Sequence, residues 1–370
     1  MLDFTSALYL GLRHPSAVLR PWDCLTLGRP AALGEPSAAA QVAGELARLQ
    51  GCETAMLLPS TLHLFWDLFG VLSEQRIAIL VDAGTYPIAR WGVERAAARG
   101  IPVECFLHHD SGELARRARH WVRQGRRPVI VADGFCPACG QAAPVAAYAV
   151  IAAGCGGYLV LDDTQALGIL GAAPLAYAPY GTGGGGSLRW HGVRGPHIVV
   201  GASLAKGFGV PVAALSGSAG LLAQFREHSE TRVHCSPPSV AVLHAAQHAL
   251  AVNRTQGDAL RRRLAALAAR LRLRFADVGL IVPQGPVFPA QSFLSARGLD
   301  LVRLYRGLLA RGIRLLLTQV CGTPGIRLTA LVTARHSDEE IDLAAQAIAA
   351  EAQVGGVLIS PHREASWIRN

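Results

Sequence analysis

Apolar positions along this chain follow two periods that take turns. Short unbroken apolar runs at Ala55 to Leu58, Ile77 to Asp82, Val103 to Leu107, Val129 to Asp133, Tyr158 to Asp163, His197 to Ala202 and Val212 to Ser216 predict strands buried on both faces. Stretches with helical spacing lie around them. The clearest early one runs from Ser37, a candidate N-cap, through Ala39, Val42, Leu46 and Leu49, and Gly51 is expected to stop it. Alternation of this kind predicts an α/β fold, a large domain built on a mainly parallel sheet with helices on both faces.

After Ser239 the pattern turns helical. A long amphipathic helix is expected from Val240 to Asp277, then strand-like Leu280 to Val282 and a helix from Asp300 to Arg311. Strands at Ile313 to Thr318 and Ile326 to Val332 follow, and Ser337 with Glu340 forms a capping box that opens a last helix to Glu351. The expected division is an N-terminal segment 1–45, a large domain 46–240, and a linker helix with a smaller C-terminal α+β domain over 241–370. The run Gly181 to Ser187 (Gly-Thr-Gly-Gly-Gly-Gly-Ser) reads as a flexible surface connection.

Every apolar run of spanning length is interrupted by Arg, Gly or Pro, so no membrane span is expected. The opening, with Asp3, Arg13 and Pro15, lacks the basic-then-apolar order of a secretory leader, which leaves the cytoplasm as the expected setting. Eight cysteines, at 24, 52, 105, 136, 139, 155, 235 and 321, are dispersed over 370 residues as free thiols would be. Cys136 and Cys139 form a CxxC with no second pair at zinc spacing and read as two loop thiols. The net charge of +9 is scattered. Arg116, Arg117 and Arg119, and Arg261 to Arg263 with Arg270, Arg272 and Arg274, read as solvated helix faces, and no RNA or DNA motif accompanies them, so no nucleic-acid partner is expected. One detail changes the picture: of the 35 Lys and Arg residues 34 are Arg, and the single lysine is Lys206. An amine can lose its proton and attack an aldehyde, whereas a guanidinium stays protonated.

Sheets of this type place ligands at the carboxyl ends of their strands. Those ends carry polar chemistry here, because Asp82, Asp133, Asp162 with Asp163, and Ser203 to Lys206 each close an apolar run. Gly201 to Gly207 is not a nucleotide P-loop, since Ala205 and Gly207 stand where that pattern needs Gly and Ser or Thr, and no GxSxG hydrolase elbow is present. The residue types do meet the needs of pyridoxal 5′-phosphate (PLP). Lys206 offers the amine, Asp162 or Asp163 a carboxylate for the pyridine nitrogen, and Tyr86 a plate against the ring. Ser203 and the amides around Ser60 to Leu62, where a strand turns into a helix, could bind the phosphate.

Several segments together resemble the α-oxoamine synthases, PLP enzymes of fold type I with the aspartate-aminotransferase-like fold. Ser203 and Ala205-Lys206-Gly207-Phe208-Gly209-Val210 are similar to the family's cofactor-lysine segment, and Leu161-Asp162-Asp163-Thr164-Gln165-Ala166-Leu167-Gly168 resembles its Asp-Asp-Ala-His-Gly-x-Gly segment. Tyr9 to Leu12, Asp133-Gly134 with Ala143-Pro144, Ser236 to Pro238 and Ile326 to Thr329 support the likeness. The resemblance implies that Lys206 is the Schiff-base lysine and Asp162 the partner of the pyridinium nitrogen. It implies that Tyr86 stands where a His stacks on the ring, that Thr61 and Leu62 present amides to the phosphate, and that Ser203 binds it too. His234 falls, with Cys235, in a stretch that the neighbouring subunit of a homodimer contributes near the phosphate, and Arg327 falls on the arginine that grips the amino-acid carboxylate. The implied activity is condensation of an amino acid with an acyl thioester, from CoA or a carrier protein, with decarboxylation to an α-amino ketone. Departures keep an aminotransferase or lyase open as the alternative. Gln165 replaces a His at the cofactor's phenolic oxygen, Pro137 a Ser, and Ala7 an Asn, and roughly a dozen extra residues separate Asp162 from Lys206. The loop from Gly181 to Arg194, with Arg189, Trp190 and His191, reads as a surface loop that could touch the acyl donor.

Overall fold

The computed structural model describes residues 1–277, 285–293, 300–319 and 325–354; the strand expected at Leu280 to Val282 and Cys321 lie outside them. The chain forms two units. The larger holds Leu10–Cys136 and Ala142–Arg262, and the smaller holds Met1–Tyr9, Pro137–Gln141 and the described residues from Arg263 onward. The first residues of the chain thus group with the smaller unit, and the division along the long helix falls after Arg262.

The larger unit is built on seven strands: β1 (Thr54–Leu58), β2 (Ile77–Asp82), β3 (Val103–Phe106), β4 (Arg127–Asp133), β5 (Tyr158–Asp162), β6 (Ile198–Ser203) and β7 (Ala213–Gly217). They lie in the order β1-β7-β6-β5-β4-β2-β3. Only β7 runs against its neighbours, so β1 points the same way as the parallel strands. Side chains alternate between the two faces of a strand. Ile77, Ile79 and Val81 therefore join one core, with Leu64, Phe65, Leu68 and Val93 from helices α2 (Thr61–Leu72) and α3 (Pro87–Ala98), while Leu80 joins another on the opposite face with Phe106, Leu114 and Tyr148. Burial on both sides is why the strands read as unbroken apolar runs.

Helix α1 (Ala38–Gln50) stops at Gly51 as expected, although Ser37 makes no side-chain capping bond. The long helix Val240–Asp277 has the expected bounds. In the smaller unit, Ala290–Phe293, Ile326–Leu331 and Leu316–Gln319 form an antiparallel sheet with Ile326–Leu331 in the middle. The helix Asp338–Val354 opens with the expected capping box: Ser337 Oγ accepts from Glu340 N at 3.2 Å, and Glu340 Oε2 accepts from Ser337 N at 2.9 Å. No described helix is long and apolar enough to cross a membrane.

Three local expectations are corrected. The Gly181 to Ser187 run is not a flexible surface connection. Most of it is buried, with Gly168 N donating to Gly184 O (2.8 Å), Gly186 N to Leu170 O (2.7 Å) and Gly183 N to Asp258 Oδ1 (2.9 Å). Its glycines are required by crowding and by backbone. A Cβ on Gly186 (φ +85°) would lie 1.9 Å from Asp163 Oδ2, and one on Gly184 (φ +71°) 2.4 Å from Arg261 Nη1. Arg261, in turn, is no solvated side chain but is 1% exposed. Its fork donates to Gly168 O (2.9 Å), Asn253 Oδ1 (2.8 Å) and Asp258 Oδ1 (2.5 Å), which clamps the glycine loop to the segment after β5. Cys136, read as a loop thiol, is buried in a two-residue strand, Phe135–Cys136; the described cysteines form no disulfide among themselves.

Arg261→Leu removes the guanidinium donors to Asp258, Asn253 and the Gly168 carbonyl. It is expected to destabilise the larger unit by roughly 2–4 kcal/mol, read as a lower urea midpoint. A midpoint within error of the parent protein would show that the clamp contributes nothing.

Candidate active site

The strand registers gather the polar ends of the apolar runs along one edge of the sheet. Asp133 and Asp162 are directly opposed, as the last residues of β4 and β5. Ser203, the last residue of β6, opposes Ala213, which on its other side opposes Leu58. The turn from β1 into α2 therefore starts two strands from Ser203. There Ser60 caps α2, its Oγ accepting from His63 N, and the N–H groups of Thr61 and Leu62 in the first turn have no intrahelical acceptor.

Lys206 follows β6 by three residues and is half-buried. Burial lowers the pKa of its amine, and the charges of Asp162 and Asp133 pull it part of the way back. Nζ lies 5.8 Å from the centroid of the Tyr86 ring. Tyr86 is fixed from two sides: its N–H donates to Asp133 Oδ1 at 3.1 Å, and Arg90 ties down the preceding loop through Thr85 O (2.9 Å), Asp82 O (3.1 Å) and Ala83 O (2.8 Å). Burial also raises Asp162, against two interactions with Thr164, and lifts Asp133, flanked by Asp162, well above the usual carboxylate range.

The choice between Asp162 and Asp163 is decided by their neighbours. Asp163 is committed elsewhere, accepting from Ser187 N (2.9 Å) and Ser187 Oγ (2.5 Å), and burial pushes it up to about 7. Asp162 is the one whose charge reaches Lys206. Thr164 N donates to Asp162 Oδ1 at 3.0 Å, and Gln165 follows, half-buried in the same turn.

Lys206, Asp162, Tyr86 and Ser203 are thus assembled within one unit, with Thr61 and Leu62 on the same edge. Asp133 belongs with them and was missed as a site residue, although it closes an apolar run and Asp133-Gly134 is among the segments that carry the resemblance. His234 is exposed at the end of a short helix, Glu230–His234, and among the described residues it makes no hydrogen bond to this cluster. Arg327 lies in the smaller unit. It is 6% exposed on the central strand, and its buried Nε has no hydrogen-bond partner among the described residues. A buried guanidinium donor left unpaired is costly, and an arriving carboxylate would satisfy it.

No protein-family profile matches the chain. It is similar to 8-amino-7-oxononanoate synthase of Halorhodospira halophila, 29% identical over 314 residues that cover 84% of this chain and 73% of that protein. Among solved structures, a variant of serine palmitoyltransferase from S. paucimobilis with a bound PLP–myriocin aldimine superposes with a TM-score of 0.84 at 16% identity, over 96% of this chain and 88% of that one. An 8-amino-7-oxononanoate synthase from Francisella tularensis superposes with a TM-score of 0.75 at 16% identity, over 96% and 99%. The fold is the aspartate-aminotransferase-like α/β fold expected from the sequence.

Beside the cluster, Asp82 accepts from Gly84 N (2.7 Å), His109 N (3.0 Å) and Tyr148 Oη (3.0 Å) and meets His108 Nδ1 at 2.5 Å. Burial disfavours the His108 imidazolium, but the hydrogen bond and charge of Asp82, with a hydrogen bond to Cys136, outweigh it and raise its pKa to about 10. A histidine raised in the folded state adds stability that is complete below its ordinary 6.5 and fades as pH climbs through 10. Urea midpoints should therefore fall between those two values, and the slope should flatten in His108→Gln. An unchanged slope in the variant would assign the loss to other groups.

Proposed function

We propose that the protein is a PLP-dependent acyltransferase of the α-oxoamine synthase type, condensing an amino acid with an acyl thioester and releasing carbon dioxide to give an α-amino ketone. The observation that carries this reading is the placement of the chain's one lysine, half-buried Lys206, where the charges of two strand-end carboxylates reach its amine and an aromatic ring lies 5.8 Å away. The curated relatives and the PLP-bearing structural neighbour support it. PLP when bound supplies an aldehyde for the amine and an electron-withdrawing ring that stabilises negative charge on the substrate's α-carbon.

The residues divide the remaining work. A lowered pKa leaves Lys206 Nζ more often neutral at physiological pH, so it can hold the aldehyde and later carry the α-proton. Asp162 would keep the ring nitrogen protonated, and Tyr86 would supply an aromatic plate for the ring. The Thr61 and Leu62 amides, at a helix N-terminus, and the Ser203 hydroxyl bind the phosphate. Gln165 donates a hydrogen bond to the phenolic oxygen but cannot exchange a proton there. Arg327 grips the substrate carboxylate with a two-pronged fork. Exposed Leu62, Trp66, Tyr86 and Trp91 support a homodimer in which a second copy covers this face and brings its own His234 towards the phosphate. A cytoplasmic setting suits such an enzyme. Gln165 and Ala7, where the family carries His and Asn, favour transamination or lyase chemistry as a second reading.

Two experiments test the proposal. The protein incubated with PLP should gain a visible absorption band that Lys206→Ala abolishes, and amino acid plus acyl thioester should release free thiol; keto acid formed without thioester would instead support transamination. Arg327→Ala should raise the KM for the amino acid by about a hundredfold while leaving that for the thioester unchanged, as expected for loss of a charged pair. Equal effects on both would remove Arg327 from the carboxylate site.

A further inference from the structure

The segment before α1 reaches the loop that carries Lys206 through one histidine. His14 Nε2 donates to the carbonyl of Phe208, two residues after Lys206, at 2.8 Å. Phe208 is fully buried, in a core with Val42, Leu46, Leu57 and Leu243 against which Leu12 packs. On its other side the loop presses on the turn after β5, where a Cβ on Gly207 would lie 2.5 Å from Leu167 O. Lys206 is thus followed by a glycine wedged against one neighbour and by a carbonyl held by another.

His14 is itself held by a second histidine. His248, on the long helix, meets it edge-on, with ring centroids 5.3 Å apart and Nδ1 to Nδ1 at 3.1 Å. The protons follow from the carbonyl, which can only accept: His14 Nε2 carries a proton, the Nδ1 of its neutral ring is a lone pair, and His248 Nδ1 must be the donor. One proton therefore lies between the facing nitrogens. A first added proton goes to His248 Nε2 and leaves this arrangement intact. A second has only His14 Nδ1 to occupy, where it confronts the N–H of an imidazolium.

Partial burial lowers the pKa of His14, the Phe208 carbonyl opposes this, and the charge of His248 lowers it further. Of the other charged or titratable groups on nearby turns of these elements, Arg13 and Arg48 are exposed, His244 gives its Nδ1 proton to Arg20 O (2.7 Å), Arg254 pairs with Glu45 (2.5 Å), and the Lys206 amine lies within reach of the charges of Asp162 and Asp133. A histidine depressed in the folded state adds stability that is complete above its ordinary 6.5 and is lost as pH falls through that value towards the lower folded one. This is opposite in sign to His108.

We propose that His14 is a positioning residue for the Lys206 loop and that its pairing with His248 makes the hold depend on pH: the loop is pinned while the facing nitrogens share one proton, and released when acid adds another between them. The inference rests on the PLP reading, since the loop matters as the segment that presents the amine and the Ser203 hydroxyl to the cofactor.

The test uses the whole protein and two variants that cannot titrate at one member of the pair. His14→Gln keeps an amide donor for the Phe208 carbonyl, and His248→Asn lets His14 gain a proton without meeting a cation. Ring 15N NMR of the cofactor-free parent protein should show the Nε2–H tautomer for His14 and the Nδ1–H tautomer for His248, and His14 should titrate at a higher pH in His248→Asn. PLP affinity, measured by absorbance titration, should fall about tenfold further in the parent protein than in either variant between about pH 7.5 and about pH 5.5. Superimposable affinity profiles, or a His14 titration that ignores His248, would overturn the proposal. If a variant does not fold, the parent protein's ring signals decide, because Nε2–H tautomers on both rings would mean that no proton is shared. Failure of the parent protein to bind PLP would instead overturn the functional reading, and the ring signals would still report whether the pair exists.

Discussion

Carboxylates crowded together and partly withdrawn from water set the terms for the whole carboxyl edge of the sheet. The last residues of β4 and β5 are aspartates in register, and adjacent strands lie about 5 Å apart. At an effective dielectric constant of about 20, two charges at that spacing repel by roughly 3–4 kcal/mol. The fold answers with the Lys206 amine, with Thr164 on Asp162 and with the Tyr86 N–H on Asp133. One strand further, Asp82 is answered by a histidine, two backbone N–H groups and the Tyr148 hydroxyl. The loops after these strands are shaped by the donors they must deliver, which is how acids at strand ends come to position a ring and an amine beside them.

The strands were legible because a sheet buried on both faces writes itself as continuous apolar runs, and most bounds moved by only a residue or two. The helix from Val240 to Asp277 and the Ser337–Glu340 capping box were legible for a similar reason, since both depend on contacts within a few residues. The apolar pattern alone could not separate Asp162 from Asp163; in the sequence only the family resemblance singled out Asp162. Neighbouring residues on a strand point to opposite faces, and which face holds Lys206 depends on the pairing of β5 with β4 and β6. Asp133 was hidden in the same way, because an aspartate closing a run has no local mark that distinguishes a turn residue from one opposed to a second carboxylate.

The glycine loop shows the opposite failure, in which composition suggested the wrong physics. A run of glycines can belong to a chain that touches nothing or to one crowded too closely for any Cβ. Here the crowding comes from Asp163, from the backbone at Gly168 and from Arg261, the last more than seventy residues away along the chain. Arg261 was misread for the matching reason, since its helix carries other arginines that do face solvent or acidic partners such as Asp342.

The arginine excess and the solitary lysine belong to one argument. Arg261, Arg90, Arg189 and Arg263 each satisfy two or more acceptors, most of them backbone carbonyls, with a planar fork. A guanidinium can do this in partly buried places because it holds its proton there. An ammonium in the same surroundings loses basicity, which is a liability in a clamp and the required property of a nucleophile. Burial beside Asp162 and Asp133 gives Lys206 that property while keeping its charge from being lost outright. On the proposed reading, the structural cations and the reactive one are divided by residue type, and position 206 is where a dissociable proton has chemical use.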